Sequence, residues 1–196
     1  MTTRHRPRLY LVRHGETEWA RLGRHTGRTD VPLTEAGRVQ ARAIADRLAG
    51  IRFGRVVSSP LSRALETARL AGYGEVVEVE PDLAEWDYGA YEGRTTPEIR
   101  QSVRGWTIWE QGPRGGETAA DVTARVDRVL VALDGAEGNV ALFAHGHVLR
   151  VLTARWLGLP ASEGRLFALG TATVSVLGWE REARVVERWN EAPPHR

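Results

Sequence analysis

The alternation of short apolar strands with amphipathic helical segments limits what this chain can fold into more than any other feature. Apolar runs of strand length stand at 9–12, 55–59, 76–79 and 140–143. Segments with helical spacing of apolar residues separate most of them. Strands that alternate with helices predict an α/β layered domain with a mostly parallel central sheet.

Two helices carry clear start signals. Thr34 is the expected N-cap of a helix that continues through Leu48 and stops at Gly50. A second helix is expected from Thr118, with Asp121 completing a variant capping box. Its apolar positions define one buried face, formed by Val122, Val126, Val129, Leu130 and Leu133.

The remaining segments complete the expected architecture. A helix is predicted at about 61–70, and the apolar segment 148–157 predicts a helix deep in the fold. Two late strands, 172–179 and 184–189, are expected to form a hairpin at a sheet edge. Residues 82–116 have weak periodicity and predict a long excursion. In it, Trp86, Trp106 and Trp109 are expected to pack in the core or a lid, with stacking on substrate as the less favoured alternative.

The size and composition favour one globular domain over residues 1–196. No run approaches the roughly 20 apolar residues of a membrane helix. No apolar stretch with a small-residue cleavage site follows the basic start at 1–8, so we expect no secretory signal. The chain has no cysteine, which excludes disulfides and thiolate chemistry and favours the reducing cytoplasm.

The charge pattern argues against a nucleic-acid binder. The formal net charge is only +2, and Arg and acidic residues are interleaved along the chain. A nucleic-acid site would show a concentrated basic stripe. All 27 basic residues are Arg. Any phosphate site must therefore use Arg, His and backbone N–H groups.

Three of the predicted strands end in polar residues. His14 and Gly15 follow the first strand, Ser58 and Ser59 end the second, and His145 and Gly146 follow the strand at 140–143. In open α/β sheets, ligands bind outside the carboxyl ends of the strands. Two His-Gly turns at two such ends predict one shared site.

The residues near these turns suit phosphoryl transfer. A neutral imidazole at His14 could attack phosphorus and form a phosphohistidine. Arg13 and Arg63 could grip phosphate oxygens, and their charges would favour the neutral imidazole. The leaving oxygen would then need a proton from a nearby carboxylic acid.

Four segments in order resemble the histidine phosphatase superfamily, the phosphoglycerate mutase-like group. They are Leu11–Thr17, Ser58–Ala64, Glu85–Gly93 and His145–His147, and the similarity spans about residues 9–178. The resemblance implies a three-layer phosphoglycerate mutase-like fold, with helices flanking the sheet. It implies no metal or organic cofactor and a small phosphorylated metabolite as substrate. A homodimer is compatible with it.

The resemblance also assigns site residues. It implies that His14 is the phosphorylated nucleophile and that Glu85 donates the proton and later activates water. The rest of the phosphate pocket would be Arg13, Arg63 and His145. Residues implied to contact substrate or shape the pocket are Thr17, Thr26, Gly27, Tyr88, Gly146 and His147. For His25, in a nearby loop, a substrate-facing and a structural role stay equally open.

Departures from the mutases favour hydrolysis over transfer. Ala20 stands where cofactor-dependent mutases carry Asn, and segment 93–116 is too short for their Lys- and Arg-bearing insertion. The runs 23–30 and 106–109 resemble both broad-specificity acid phosphatases and sedoheptulose-1,7-bisphosphatases. A distal phosphate could be held by Arg94, Arg100, Arg104 or Arg114, although an exposed charged loop explains these residues more simply. We therefore expect a phosphomonoesterase, with a sugar bisphosphatase as the alternative and a mutase as a weaker one.

Two other classes stay open from the sequence. A metallohydrolase could use His145 and His147, but no further ligand set with recognised spacing supports it. A catalytically silent module could bind phosphorylated partners, although all five chemical positions are filled.

Overall fold

The computed structural model describes residues 6–193 and is built on one six-stranded sheet. The strand order is β3-β2-β4-β1-β5-β6. The pairs β1–β4, β2–β4 and β2–β3 are parallel, whereas β5 is antiparallel to both β1 and β6. The strands are β1 (Leu9–Arg13), β2 (Phe53–Ser58), β3 (Val77–Val79), β4 (Asn139–Ala144), β5 (Val174–Glu180) and β6 (Ala183–Glu191).

Six α-helices accompany the sheet within residues 6–193. They are α1 (Glu18–Arg21), α2 (Glu35–Leu48), α3 (Ser62–Ala68), α4 (Thr96–Arg100), α5 (Ala119–Leu133) and α6 (Gly146–Trp156). A π-helical turn, Arg69–Tyr73, continues α3. Three 3-10 helices lie at Pro81–Leu83, Gly89–Tyr91 and Ala161–Leu166. None of the described helices has both the length and the apolar character that a membrane crossing requires.

The strands separate two hydrophobic cores. Because side chains alternate along a strand, Leu9 and Leu11 of β1 face one core, whereas Tyr10 and Val12 face the other. The first core includes the buried faces of α5 and α6, and the second includes those of α2 and α3. The expected α/β fold, with helices on both faces of a mostly parallel sheet, is confirmed.

The predicted helix starts agree with the structure. The Thr34 side chain caps α2 by accepting the N–H of Gly37 at 3.0 Å. Thr118 and Asp121 form the capping box of α5. The predicted apolar face of α5 is buried, and so is most of α6.

The late hairpin differs in one respect from the expectation. Strands β5 and β6 do pair as a hairpin, and β6 lies at the edge of the sheet. However, β5 lies one strand in from the edge because it also pairs with β1. Residues 172 and 173 lie outside β5, and Ala172 adopts a positive φ of 53°.

The excursion at 82–116 is more ordered than its weak periodicity indicated. It contains α4, which has its own capping box between Thr95 and Glu98. Trp86 and Trp106 are fully buried, so the expected packing role of these two residues is confirmed. A five-residue helix is too short to give a periodic signal, which explains why the sequence pattern missed it.

Candidate active site

The carboxyl ends of β1, β4 and β2 form one side of the site. The backbone N–H of His14 donates to Ala144 at 3.0 Å, and that of Ser59 donates to Phe143 at 2.9 Å. These bonds continue the parallel pairing past the strand ends. The ring centroids of His14 and His145 are consequently 5.2 Å apart. The structure thus brings the two His-Gly turns together.

His14 is held in one tautomer. Its Nδ1 lies 2.7 Å from the carbonyl oxygen of Gly15. A carbonyl oxygen can only accept, so Nδ1 carries the proton and Nε2 keeps its lone pair. Burial, and then the charges of Arg13 and Arg63, holds the pKa of His14 well below its usual value of 6.5. The side chain is therefore a neutral imidazole with one free nitrogen.

Two glycines allow the turn after His14 to lie against α2. A Cβ on Gly15 would overlap the carbonyl oxygen of Gly37, and a Cβ on Gly37 would overlap that of Glu16. The N–H of Gly15 also donates to Thr67 Oγ1 at 3.1 Å, which ties the turn to α3. The backbone that positions His14 is thus fixed from two helices.

Arg63 organises the loop at 26–29. Its side chain is fully buried. Nη2 donates to the carbonyls of Thr26 and Gly27 at 3.1 and 3.0 Å, and Nη1 donates to Thr29 at 3.0 Å. Burial lowers the pKa of Arg63, and the charge of Glu85 acts in the opposite direction. The guanidinium is thereby fixed in one orientation beside His14.

His145 links Arg63 to the end of β2. Arg63 Nε donates to His145 Nδ1 at 3.2 Å. The ring therefore carries its proton on Nε2, which donates to Ser59 Oγ at 2.6 Å. Burial, followed by the charge of Arg63, lowers the pKa of His145 well below its usual value. His145 thus joins the site as a neutral ring with both nitrogens engaged.

Arg13 contributes a donor without a partner. Its Nη1 donates to the carbonyl of Leu169, whereas its buried Nε has no hydrogen-bond partner within residues 6–193. Gly146 lies close enough that an added Cβ would stand 3.4 Å from Arg13 Cζ. Buried donors are almost always paired. An anionic oxygen of a ligand would pair this one.

Glu85 occupies the N-terminus of α6. His145 is the N-cap residue of that helix but gives no side-chain cap. Glu85 takes this place, accepting the N–H groups of His147 and Val148 at 3.0 and 2.9 Å. A third N–H, that of Trp86, donates to it at 2.9 Å. The carboxyl group is therefore fixed next to the His145 turn.

An aromatic wall adjoins these groups, formed by His25, Tyr88, Trp106 and His147. The Tyr88 hydroxyl and His147 Nδ1 are hydrogen-bonded at 2.6 Å, and burial raises the pKa of Tyr88 well above 10. The His25 ring lies 4.8 Å from Tyr88 and 5.3 Å from Trp106 between centroids. Burial lowers the pKa of His25 to about 4. Burial is also the largest cause that lowers the pKa of His147 well below its usual value.

The predicted substrate-contacting residues lie around this site in different ways. Thr17 is buried, and its Oγ1 caps α1 by accepting the N–H of Ala20 at 3.1 Å. Gly27 has no room for a Cβ, which would crowd Trp86 and Glu92. Thr26 supplies one of the carbonyls that orient Arg63. Contact of these residues with substrate stays a prediction.

The sequence interpretation gave no role to Glu92, Thr67 or Gly37. Glu92 Oε1 accepts the N–H groups of Gly27 and Thr29 at 2.8 and 3.2 Å, so it holds the loop that Arg63 grips. Thr67 stands one helical turn after Arg63, on the same face of α3. That spacing was the available signal for Thr67, whereas the backbone contact at Gly37 has none in the sequence.

His145 and His147, the candidate metal ligands, are not part of a larger group of metal-binding side chains within residues 6–193. Within residues 6–193, no three His, Cys, Asp or Glu side chains cluster as a metal site. His145 uses its ring nitrogens for Arg63 and Ser59.

Comparison with known proteins adds independent information. The family model described as histidine phosphatase superfamily (branch 1) matches residues 9–192. An acid phosphatase of Mycobacterium tuberculosis is 46% identical over 181 residues, which cover 90% of this chain and 89% of that protein. A sedoheptulose 1,7-bisphosphatase of Saccharomyces cerevisiae is 35% identical over 185 residues, covering 78% of this chain and 68% of the yeast protein.

A solved structure shows the same fold. It is that of an open reading frame from Mycobacterium tuberculosis, and it superposes with a TM-score of 0.91 at 43% sequence identity. The match covers 96% of this chain and 99% of the other.

Proposed function

This chain belongs to the histidine phosphatase superfamily, and from that membership we propose that His14 is its phosphorylated nucleophile and Glu85 its proton donor. The chain is a phosphatase that hydrolyses phosphate monoesters, in a family characterised by a phosphohistidine mechanism. One relative is named an acid phosphatase and another is named for a sugar bisphosphate, sedoheptulose 1,7-bisphosphate. The proposal assigns the chemistry to particular residues of this chain.

One observation carries the assignment: the neutral His14 ring presents the lone pair of Nε2 beside the buried Arg63 and the partly buried Arg13. The hydrogen bond from Nδ1 to Gly15 fixes the tautomer, and burial with Arg13 and Arg63 disfavours the protonated ring. A nucleophile needs a lone pair, and a phosphate dianion needs nearby cations. The same three residues meet both needs.

The first step forms the phosphohistidine. His14 Nε2 donates its lone pair to phosphorus while the bond from phosphorus to the ester oxygen breaks. The departing oxygen takes a proton from the carboxylic acid of Glu85, so an alcohol leaves. Arg13, whose Nε has no partner within residues 6–193, would pair with a phosphate oxygen and stabilise the charge on the transferring group.

The second step returns the enzyme to its starting state. Glu85, now a carboxylate, accepts a proton from a water molecule whose oxygen attacks phosphorus. The bond between phosphorus and His14 Nε2 breaks and its electron pair returns to the ring. Inorganic phosphate leaves, and Glu85 is again a carboxylic acid. No metal is needed in either step, because Arg13 and Arg63 supply the positive charge.

The proposal extends to the substrate class, the domain organisation, the location and the oligomeric state. We propose a single domain over residues 1–196 that acts on small phosphorylated metabolites. The absence of cysteine suits a reducing cytoplasm. We also propose that the protein forms a homodimer and binds no nucleic acid. Sedimentation analysis of the purified protein and fractionation of cells tests the oligomeric state and the location.

The test of His14 is to trap its phosphorylated form. The protein is mixed with ³²P-labelled substrate and quenched, and we expect an acid-labile, base-stable label that His14→Ala lacks. The matched variant His25→Ala should retain the label, because His25 belongs to the aromatic wall and not to the phosphate pocket. A label that persists in His14→Ala would overturn the assignment.

A sugar bisphosphatase is the second candidate, favoured by the 35% identical yeast relative. Two of the candidate arginines for a distal phosphate are partly engaged within their own loop. Arg94 donates to the carbonyl of Glu98 at 2.8 Å, and Arg100 donates to that of Trp106 at 2.9 Å. We therefore keep the broader phosphomonoesterase as the main proposal.

A substrate panel separates the candidates. Sedoheptulose 1,7-bisphosphate hydrolysed with a much higher kcat/KM than simple monoesters would establish the bisphosphatase. Conversion of 3-phosphoglycerate to its isomer without release of phosphate would establish a mutase. Binding of phosphorylated ligands without any turnover would leave only a binding module.

A further inference from the structure

One largely buried ion pair takes no part in the chemistry described above. Arg125 of α5 is 7% exposed and faces Glu117, which precedes α5. Arg125 Nε donates to Glu117 Oε1 at 2.8 Å and Nη2 donates to Oε2 at 3.0 Å. Such a two-pronged bond fixes the relative orientation of the two groups.

The rest of the Arg125 guanidinium holds the segment that leads into Glu85. Nη1 donates to the carbonyl oxygens of Asp82 and Ala84 at 2.7 and 2.6 Å. Ala84 immediately precedes Glu85 in the chain. Arg125 therefore fixes the backbone on the N-terminal side of Glu85.

Glu117 holds the segment that follows Glu85. Its Oε2 accepts the N–H of Asp87 at 2.9 Å, and its carbonyl oxygen accepts the indole N–H of Trp86 at 2.8 Å. The backbone N–H of Glu117 also donates to the carbonyl of Asp87 at 3.0 Å. These bonds fix the backbone on the C-terminal side of Glu85.

We propose that Arg125 and Glu117 form a clamp that positions Glu85 for protonation of the leaving group. The clamp grips the backbone on both sides of Glu85, while α6 grips its carboxyl group. This inference rests on the proposed function, in which Glu85 is the proton donor. Arg125 and Glu117 are positioning residues, because within residues 6–193 their side chains hydrogen-bond to each other and to the 82–87 segment rather than to His14, Arg13 or Arg63.

The location of the clamp gives this buried pair a role other than stabilising the fold. Replacing a buried ion pair with apolar residues is often neutral or stabilising, so such a pair is weak evidence for a stabilising role. A proton donor, however, must lie within hydrogen-bond reach of the leaving oxygen. A misplacement of about 1 Å can cost about 100-fold in rate. Positional accuracy at Glu85 is what this pair supplies.

The test uses the basicity of the leaving group. p-Nitrophenolate leaves readily without a proton, whereas the phenolate of phenyl phosphate needs one, and the two esters are similar in shape. General acid catalysis contributes about 100- to 10,000-fold, so we expect Arg125→Met to lower kcat/KM for phenyl phosphate at least about tenfold. For p-nitrophenyl phosphate the decrease should be much smaller. Competitive inhibition by inorganic phosphate should be unchanged, because the phosphate pocket is untouched.

Three comparison variants make the result decisive. Glu85→Gln should show the same selectivity between the two esters, and more strongly. Glu117→Gln removes the charge but keeps the side-chain shape, so it decides the case if Arg125→Met fails to fold. Arg155→Met is the matched control: it breaks the similar pair with Asp127, at 2.9 and 3.0 Å, away from Glu85. It should slow neither ester.

The outcomes separate the clamp from the proton donor. An equal loss on both esters in the folded Arg125 and Glu117 variants, or no loss, would overturn the clamp. If Glu85→Gln itself showed no selectivity between the esters, the proposed proton donor would fail, and the clamp with it. Selectivity in Glu85→Gln but not in the clamp variants would overturn the clamp alone.

Discussion

At the scale of single residues, the site depends on keeping one imidazole uncharged among cations. Burial is the largest cause that lowers the pKa of His14, and Arg13 and Arg63 add to it. The arginines therefore act on His14 before any substrate arrives. They prepare the neutral nucleophile and also form the binding site for the phosphate charge.

This coupling predicts where His14 titrates. The pKa of His14 is lowered from 6.5, so the ring should stay neutral at pH 6.5 and protonate only at more acid pH. Replacing Arg13 by Gln removes the second-largest cause, so the His14 titration should move to higher pH. NMR of the imidazole nitrogens measures it, with the His14 signals assigned by their loss in His14→Ala. A His14 ring that is half protonated at pH 6.5 or above would contradict the prediction.

The contact between Gly15 and Gly37 predicts a second residue-scale effect. A Cβ at Gly37 would overlap the carbonyl oxygen of Glu16, so Gly37→Ala must push the turn after His14 away from α2. Overpacking of this kind costs about 1–3 kcal/mol. Urea unfolding should show that loss of stability, and kcat should fall because His14 moves with the turn.

Gly170→Ala is the matched control for this substitution. Its Cβ would lie 3.3 Å from the methyl group of Thr173, a side-chain atom that can move slightly. We expect less loss of stability and no change in kcat. If Gly37→Ala were as well tolerated as Gly170→Ala, the close contact would not matter to the site.

At the scale of elements, α6 begins without a cap of its own. The N-cap residue is His145, whose ring is engaged with Arg63 and Ser59 and makes no bond to the helix. Glu85, from the excursion, accepts the second and third N–H groups of α6 instead. One carboxyl group therefore serves the helix and, in our proposal, the reaction.

This double role predicts different effects for two substitutions of Glu85. Loss of a helix cap costs about 0.5–2 kcal/mol, so Glu85→Ala should lower the free energy of unfolding by that amount. Glu85→Gln keeps an acceptor oxygen and should lose less stability, although both variants lose activity on esters with basic leaving groups. Thermal unfolding followed by circular dichroism measures the difference.

Thr118 offers the matched comparison, because it caps α5 through Asp121 and lies outside the site. Thr118→Ala should cost similar stability, about 0.5–2 kcal/mol, while activity stays near that of the parent. Equal stability of Glu85→Ala and Glu85→Gln would show that α6 does not need this cap.

At the scale of the whole molecule, the sheet and its helices were predictable because their signals are local. Thr34 and Thr118 mark helix starts, and the apolar runs at β1 and β4 end in the two His-Gly turns. The convergence of these turns followed from the rule for carboxyl ends of parallel strands. The same pattern of strands and helices therefore predicted both the fold and the meeting of the two His-Gly turns.

What the sequence did not indicate depends on contacts between distant segments. Helix α4 is too short for a periodic signal. The pairing of Arg125 with the carbonyls of Asp82 and Ala84 spans more than forty residues, with sequence separations of 43 and 41. Likewise, no local rule places Glu92 against Gly27, 65 residues away. Such contacts join residues far apart in the sequence, so they can be identified only from the folded structure.

Full burial of His14 and His145 and partial burial of His25 and His147 make the stability of the whole molecule depend on pH. The pKa values of His14, His145 and His147 are lowered well below 6.5, and that of His25 is lowered to about 4. Below pH 6.5 the unfolded chain therefore binds more protons than the folded one. Stability should be greatest above pH 6.5 and fall as the pH drops through the range in which only the unfolded chain protonates.

Each such histidine contributes a slope of up to about 1.4 kcal/mol per pH unit. His147→Gln removes one of them, while the Gln side-chain amide can still hydrogen-bond to the Tyr88 hydroxyl. Urea unfolding at pH 7.5, 6.5 and 5.5 measures the free energy of unfolding of parent and variant. Between pH 6.5 and 5.5 this free energy should fall less in the variant than in the parent, by up to about 1.4 kcal/mol. Arg155→Met, which removes no group that titrates in this range, should keep the parent slope. Because carboxyl groups contribute alike to parent and variant, the difference in slope isolates the histidine. Identical slopes would mean that His147 is not held neutral by the fold.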